Sequence, residues 1–579
     1  MTPERAFYLI AYAAITAGML LSSAEPIALD GFSPQFDLRF NLHLVALFAG
    51  SLLSLAVVFK HTNRWQRCLI GLVLVISITT GFLPISARDA LVHHLAVPKM
   101  WLNAGQMEQI PWHEWSYYPY LLQLGFTGLL KNQLVWLTPL YHLTFLLITA
   151  GLLAAFGEAR QRGAGAVAAI VILTLPICQT LAALPLVDLG LLLFSTIGAL
   201  ALSKWLDSPK EWHLPIIAGL AFGLAGLTKF NGLLFLGACG ISLLMAFTVQ
   251  QATPGQKFKA LFYLSLISLF TLCPYFIRNF HWTNNPIYPM YKGLFGASTP
   301  ALTASLPPLA HRMAAYDESV LEVLLLPIRV FVFGKEGDPR LFDGLLSPIL
   351  LLGFLAIFRR EKASLGDKFS SLATLIYLLI AITSAGARVR YLAPIFGILA
   401  VNGAPFLLSA LRSTPLKQIA ATSLIFIHAG YSTFAIYSSQ LGAAIKYLSS
   451  GQSSADYLTE HFPEYSVISW INGNIPRNEI VYLLYTGNKF YWFDGDARSG
   501  GYYSGDEIAQ LVKSSHDADS LYRELTIRGI RHLMTNDQRL ITGFKGLLTN
   551  DELAIWDAFV EKHLKLSFHN MGLSVWTLI

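Results

Sequence analysis

The chain has 579 residues, 54% of them hydrophobic and 13% charged, with a formal net charge of +6. A soluble domain carries about 25% charged residues, so a disordered chain, a nucleic-acid-coating protein and a single water-soluble globule are all excluded. Charge is also unevenly placed: residues 451–579 hold 27 charged side chains and are net −5, while the first 450 hold 49 and are net +11. The basic excess therefore belongs to an apolar, polytopic membrane portion, where it reads as loop charge that sets topology.

Apolar runs of roughly the 20 residues that a bilayer-crossing helix needs fall near 6–23, 41–59, 68–86, 133–155, 164–182, 186–204, 213–229, 231–249, 260–277, 341–358, 369–386, 391–411 and 418–438, which predicts about thirteen spans. The first has only Arg5 ahead of it and no Ala-x-Ala site behind it, and reads as a retained span. Short loops rich in Lys and Arg should lie on the cytoplasmic side. Lys60, Arg64 and Arg67; Arg160 and Arg162; Lys204 and Lys210; Lys257 and Lys259; Arg359, Arg360, Lys362 and Lys368; and Arg412 and Lys417 all fall on one side of this arrangement. The amino terminus is then cytoplasmic, and the loops 87–132 and 279–340 and the tail from about 450 are external; a short apolar piece at 320–333 is expected to be re-entrant. Cys68, Cys178, Cys239 and Cys273 all lie in apolar runs, so no disulfide framework is expected.

The first external loop opens at Asp89 with Asp-Ala-Leu-Val-His-His-Leu-Ala-Val-Pro-Lys. Leu91, Leu95 and Leu102 give it one apolar side, Pro98 bends or restarts a helix, and Gly105 suits its end, so an interfacial amphipathic helix is expected. His93 and His94 follow Asp89 by four and five residues; Asp89 and His93 share a face in such a helix, and that pair can begin a divalent-metal site or make a hydrogen bond that orients Asp89. Trp112, Trp115, Tyr117 and Tyr118 follow, either as an aromatic belt or as a wall for a sugar ring or isoprenoid chain.

A few charges are left over once topology is accounted for. Asp89 and Asp188 are carboxylates, and Lys229, Arg278, Arg388 and Arg390 are cations, all mapped to external span ends. Ionisable groups at the membrane boundary are costly unless solvated or paired, and inside a bundle they mark sites. Lys and Arg together can hold a lipid phosphate, Arg through its planar fork of donors, while a nearby carboxylate can serve as general base.

The tail carries soluble signals. Glu479–Thr486 alternates like a strand, Ser504 with Glu507 and Thr549 with Glu552 have capping-box spacing, and Gly529 stops a helix before the strand-like Ile530–Met534. A small α/β domain over 450–579 is expected, after two N-terminal helices (1–67) and a catalytic transmembrane module (68–440).

These residues resemble the GT-C membrane glycosyltransferases, in particular bacterial enzymes similar to protein O-mannosyltransferases and the aminoarabinose transferases. The resemblance rests on Asp89 followed by His94-x₃-Pro98-Lys99 and Gly105, then Leu184-Pro-Leu-Val-Asp188-Leu, Gly226-Leu-Thr-Lys229-Phe-Asn-Gly232, Arg278-Asn279 with Asn285-Pro286-Ile-Tyr-Pro289, and Arg388-Val-Arg390-Tyr391. It implies a polyprenyl-phosphate sugar donor, a protein, lipid or glycan acceptor and inverting transfer outside a bacterial inner membrane. Asp89 is then the catalytic base, Asp188 an assisting acid, Lys229, Arg278, Arg388 and Arg390 the donor-phosphate contacts, and His93, His94, Tyr117 and Tyr118 the substrate pocket. No cofactor is required by the resemblance, and no nucleic-acid partner is expected. Two other readings stay open on residues alone, a transporter or flippase of lipid-linked sugars and a non-catalytic assembly protein.

Overall fold

In the computed structural model, residues 1–295, 307–358, 363–384, 387–438, 440–500 and 505–579 are described. Arg359, Arg360, Lys362, Ser504 and part of loop 279–340 lie outside the described residues. The chain forms two compact units: Met1–Leu83 with Pro119–Ile445, and Pro84–Tyr118 with Lys446–Ile579.

The first unit is helical. Among the described residues eight helices are long and apolar enough to cross a membrane: Pro3–Asp30, Pro34–His61, Val135–Arg160, Asp188–Asp207, Pro254–Thr283, Leu365–Ser384, Val389–Leu411 and one beginning at Pro415. A ninth span is made if Ala164–Thr174 and Pro176–Ala182, bent by 61°, count together. Pro176 causes that break. It holds Leu175 extended, at φ −65° and ψ 124°, as a residue before proline prefers. The remaining expected runs are also helical but shorter or less apolar: Arg64–Gly81, His213–Thr228, Asn231–Phe247 and Pro348–Ile357. Among the described residues, eight helices, or nine with the bent pair, meet the length and hydropathy of a full span, and the other expected runs form shorter or less apolar helices. The apolar piece at 320–333 is two short helices, Val320–Leu324 and Leu326–Val332.

Burial tells the helices apart. Asp188–Asp207 is 94% buried over its apolar window and sits inside the bundle, whereas Pro254–Thr283 is only 33% buried and turns Phe262, Leu266, Leu269, Phe270 and Ile277 outward. Such a wide apolar surface is stable only against lipid or another protein.

The second unit holds a five-stranded sheet in the order β2-β1-β3-β5-β4, with β1 Ile480–Leu484, β2 Ala497–Arg498, β3 Ile530–Asn536, β4 Leu564–Asn570 and β5 Leu573–Leu578. β1 pairs in parallel with β2 and β3, and β5 is antiparallel to β3 and β4. Met571 and Gly572, both at positive φ, make the two-residue β4–β5 turn. Leu484, Ile508, Val512, Leu521, Leu533 and Phe559 close the core between sheet and helices. The Thr549–Glu552 capping box forms, and Gly529, at φ +73°, follows the helix Ala518–Ile527 and leads into β3.

Residues 84–118 also belong to this unit rather than to the helical one. Lys99 Nζ donates to the carbonyls of Phe493 at 2.8 Å and Tyr491 at 3.1 Å and meets Asp494 Oδ1 at 3.2 Å. Trp492 Nε1 donates to the carbonyl of Ile85 at 3.3 Å, and Trp112 packs on Phe490.

Candidate functional site

In the helical unit, the turn Gly226–Gly232 joins two antiparallel helices. A Cβ on Gly232 would lie 2.4 Å from the Ala225 carbonyl carbon, and one on Gly226 would lie 2.7 Å from Leu233, so only glycine lets the helices approach this closely. The approach fixes Lys229, extended at the end of His213–Thr228. Its Nζ donates to Asp188 Oδ1 at 2.8 Å and lies 4.9 Å from the centre of the Tyr391 ring.

Asp188 is 1% exposed and opens the helix Asp188–Asp207, where the helix dipole favours an acid. His142 pins this helix end. Its Nδ1 lies 2.9 Å from the carbonyls of Leu181 and Leu184, and its Nε2 accepts from the Leu189 amide at 2.9 Å. That pattern fits one neutral tautomer, with the proton on Nδ1. Arg390 acts electrostatically on Asp188 as a second cation after Lys229. Tyr377 hydroxyl donates to the Tyr391 carbonyl at 2.6 Å and receives Asn231 Nδ2 at 3.1 Å, which holds the 389–392 turn in place.

The loop 335–344 packs on that turn. The Val389 amide donates to the Phe342 carbonyl at 2.8 Å, and the Ile177 amide donates to Leu345 at 3.0 Å. Gly344, at φ +144°, leaves room for Ile177 and Val389. This brings Asp343 to 3.7 Å from Arg388 and sets Glu336 within the field of Asp343 and Arg390. Glu336 is exposed as a residue, while desolvation of its carboxyl, and then Asp343, push it up to about 7 against the pull of Arg390.

Arg278 was expected beside these cations as a phosphate contact. Its side chain is fully buried and donates to Glu25 Oε1 at 2.8 Å and to Asn279 Oδ1. Asn279 and Asn285 in turn donate to the carbonyls of Tyr288 and Met290. The Arg-Asn and Asn-Pro pieces thus build an internal ion pair and a hydrogen-bonded turn.

In the second unit, Asp89 makes no side-chain helix cap; a π-turn follows, Ala90–His94, before the helix Ala96–Ala104 ends at Gly105, at φ +80°. The Leu95 amide reaches back five residues to Ala90. This wider repeat places residues four and five beyond Asp89 over it together. One donor atom from each of Asp89, His93 and His94 lies within 4.8 Å of the others. The His93 and His94 ring centres are 4.0 Å apart, and His93 stacks on Trp115 at 5.2 Å. Buried His113 donates from Nε2 to the carbonyl of Val92 at 2.9 Å and supports the π-turn; burial lowers its imidazole to about 4. Tyr117 is buried and its hydroxyl accepts from Gln109, while Tyr118 packs on Trp115.

The same unit has an open cleft of about 970 Å³, lined among others by Ser86, Arg88, Glu464, Tyr485, Lys489 and Arg539. It lies at the carboxyl end of β1, where α/β sheets bind ligands. Lys489 pairs with Glu464 at 3.1 Å.

No family model matches the sequence, and no curated protein matches it. Solved structures do. ArnT from Cupriavidus metallidurans in the apo state is similar at a TM-score of 0.55 and 12% identity, covering 89% of this chain and 98% of that chain. The same protein bound to undecaprenyl phosphate gives 0.54 and 11% over the same shares. The chain therefore shares its fold with these ArnT structures.

Proposed function

We propose that the protein is a multi-pass membrane glycosyltransferase that moves a sugar from a polyprenyl-phosphate carrier to an acceptor outside the membrane, with the amino terminus cytoplasmic. The observation that carries this reading is the pairing of buried Asp188 with Lys229, with Arg390 acting on the same acid and Arg388, two residues before Arg390, facing Asp343 in the helical unit. Cations confined to apolar surroundings suit a phosphate that arrives through lipid. The ArnT structure of the same fold holds undecaprenyl phosphate.

In this reading Lys229, Arg388 and Arg390 bind the donor phosphate, and Asp188 sets the position of Lys229. Asp89 takes the proton of the acceptor hydroxyl or amine. The acceptor's electron pair forms the new bond to the anomeric carbon, the bond from that carbon to the phosphate oxygen breaks, and the polyprenyl phosphate leaves with its electrons. Attack opposite the leaving group inverts the anomeric centre. The cations stabilise the charge that develops on the leaving phosphate. His93 and His94 orient Asp89, and Tyr118 and Trp115 offer ring faces to a sugar.

Deletion of the gene, followed by mass spectrometry of envelope glycans and lipid-linked sugars, identifies donor and acceptor. With these in hand, Asp89→Asn is expected to lower turnover by about 10²–10⁴-fold, the range for loss of a general base, at unchanged donor affinity. Full turnover in D89N overturns this assignment. The helix broken at Leu175 favours one second reading, transport, because broken helices line transporter sites. Counterflow of a lipid-linked sugar in vesicles without chemical turnover would establish it instead.

A further inference from the structure

We propose that Glu336 and Asp343 make the phosphate site at Arg388 and Arg390 selective for charge: they disfavour the spent polyprenyl phosphate monoester more than the phosphodiester donor, and so help the product to leave. The inference rests on the donor-phosphate reading above. Asp343 Oδ2 lies 3.7 Å from Arg388 Nη1, and Glu336 stands in the electrostatic field of Arg390. Two acids facing two cations partly cancel a site that has to hold an anion.

The chain holds these acids there against backbone strain. Phe342 and Asp343 are consecutive left-handed residues, at φ +67° and +45°. A bulky side chain is rare in that region, and such conformations persist only where the surroundings over-determine them. The Arg312 and Arg329 guanidinium carbons lie 4.9 and 5.8 Å from the centre of the Phe342 ring. Both arginines pair with buried Glu318, Arg312 through hydrogen bonds of 2.6 and 2.7 Å and Arg329 at 3.2 Å. Arg312 also donates to the Arg340 carbonyl at 2.7 Å. The Gly337 amide donates to Asp343 Oδ1 at 3.1 Å, and the Val389 amide fastens Phe342 to the turn that carries the arginines.

The chemistry of transfer gives this opposition a use. Breaking the bond between the anomeric carbon and the phosphate oxygen turns a phosphodiester with one negative charge into a monoester. The second ionisation of a phosphate monoester, near pH 6, gives it about −1.5 to −2 at pH 7. Cations alone hold the product more tightly than the donor, because their attraction scales with the charge of the ligand. Fixed carboxylates oppose that preference, because their repulsion scales with the same charge. At an effective dielectric of about 20, one extra unit of charge about 10 Å from a carboxylate changes affinity roughly tenfold. Glu336, pushed up to about 7, carries its charge at pH 8.

The test uses the full-length chain in detergent at pH 8 and low ionic strength, with undecaprenyl phosphate and its methyl phosphodiester. These share one lipid chain and differ by one charge. Dissociation constants for both are read by native mass spectrometry. Glu336→Gln and Asp343→Asn are each expected to tighten the monoester more than the diester, moving the ratio of the two constants about tenfold. Asp343→Asn keeps an oxygen for the Gly337 amide. Glu336 is exposed, so its substitution leaves the fold in place and carries the test if Asp343→Asn unfolds. Asp317→Asn, at an exposed acid earlier in the same segment, is expected to leave the ratio unchanged. Equal tightening of both lipids in the two variants, no change in either, or the same shift in D317N overturns the proposal and leaves the donor site standing. Binding of neither lipid to the wild-type chain overturns the donor-site reading and the proposal with it.

Discussion

The two units each hold a carboxylate that the sequence marks out, and they treat it in opposite ways. Asp188 is sealed in helices, 2.8 Å from an ammonium group and backed by a neutral imidazole that holds its helix end. Asp89 sits half-buried on a π-turn beside two imidazoles. The first arrangement fixes a charge in place. The second sets the acid among two titratable rings. An acid's position in the chain therefore says little about what it does; the partner it is given decides.

The sharpest way to break this contrast is to unpair Asp188. Removing one member of a buried ion pair costs about 3–5 kcal/mol, while replacing both with apolar residues is nearly neutral. Asp188→Leu alone is expected to lower the melting temperature strongly in detergent, and the D188L/K229M double variant to regain most of it. If Lys229 holds donor phosphate, the double variant regains stability without transfer. Recovery of both would make the pair purely architectural.

The second test concerns the support beneath Asp89. His113 has an ordinary imidazole value near 6.5 when unfolded and about 4 when folded, because burial disfavours its charge. Between those two values the unfolded chain binds more protons than the folded one, so stability is present above pH 6.5 and is lost as the pH falls toward 4. The full swing is about 3 kcal/mol, at 1.36 kcal/mol per pH unit. Melting of the second unit followed against pH should show this slope, and His113→Gln should flatten it.

The mildest expected effect is at Arg390. A charge-assisted hydrogen bond to an anion is worth about 1.5–3 kcal/mol, so Arg390→Gln should raise the Michaelis constant for the lipid-phosphate donor by about 10–100-fold with little change in melting. Equal loss in Arg390→Lys would show that the planar fork matters and not charge alone.

Much of this was legible beforehand because charge in an apolar chain is conspicuous. Asp188, Lys229, Arg388 and Arg390 stood out as the residues that topology did not absorb, and the Gly226–Gly232 turn gave Lys229 its place. What could not be read depended on distant partners or unusual backbone. Glu25, the partner of Arg278, lies 253 residues away in sequence. Lys99 finds its acceptors nearly 400 residues on, at Tyr491 and Phe493. The sequence put His93, four residues on, on the face of Asp89 by an α-helical period, whereas the chain makes a π-turn there that brings His94 to the same side. Glu336 and Asp343 passed as ordinary loop acids, since nothing local announces that the Val389–Phe342 hydrogen bond carries them to Arg388 and Arg390. Among the described residues, the runs near 213–249 and 341–358 are apolar but form shorter helices than the eight full-length ones, and an apolar run in the sequence does not give the length of the helix it makes.

The break at Leu175 has a mechanical consequence. The severed helix offers the Ile177 amide, and that amide is fastened to Leu345, just past the loop bearing Glu336 and Asp343. The hydrogen bond therefore ties the short segment Pro176–Ala182 to the strand of chain that carries Asp343 to Arg388. Proline's inability to continue a helix thus frees a backbone amide in mid-span, and that amide becomes a fastening point for the charged loop.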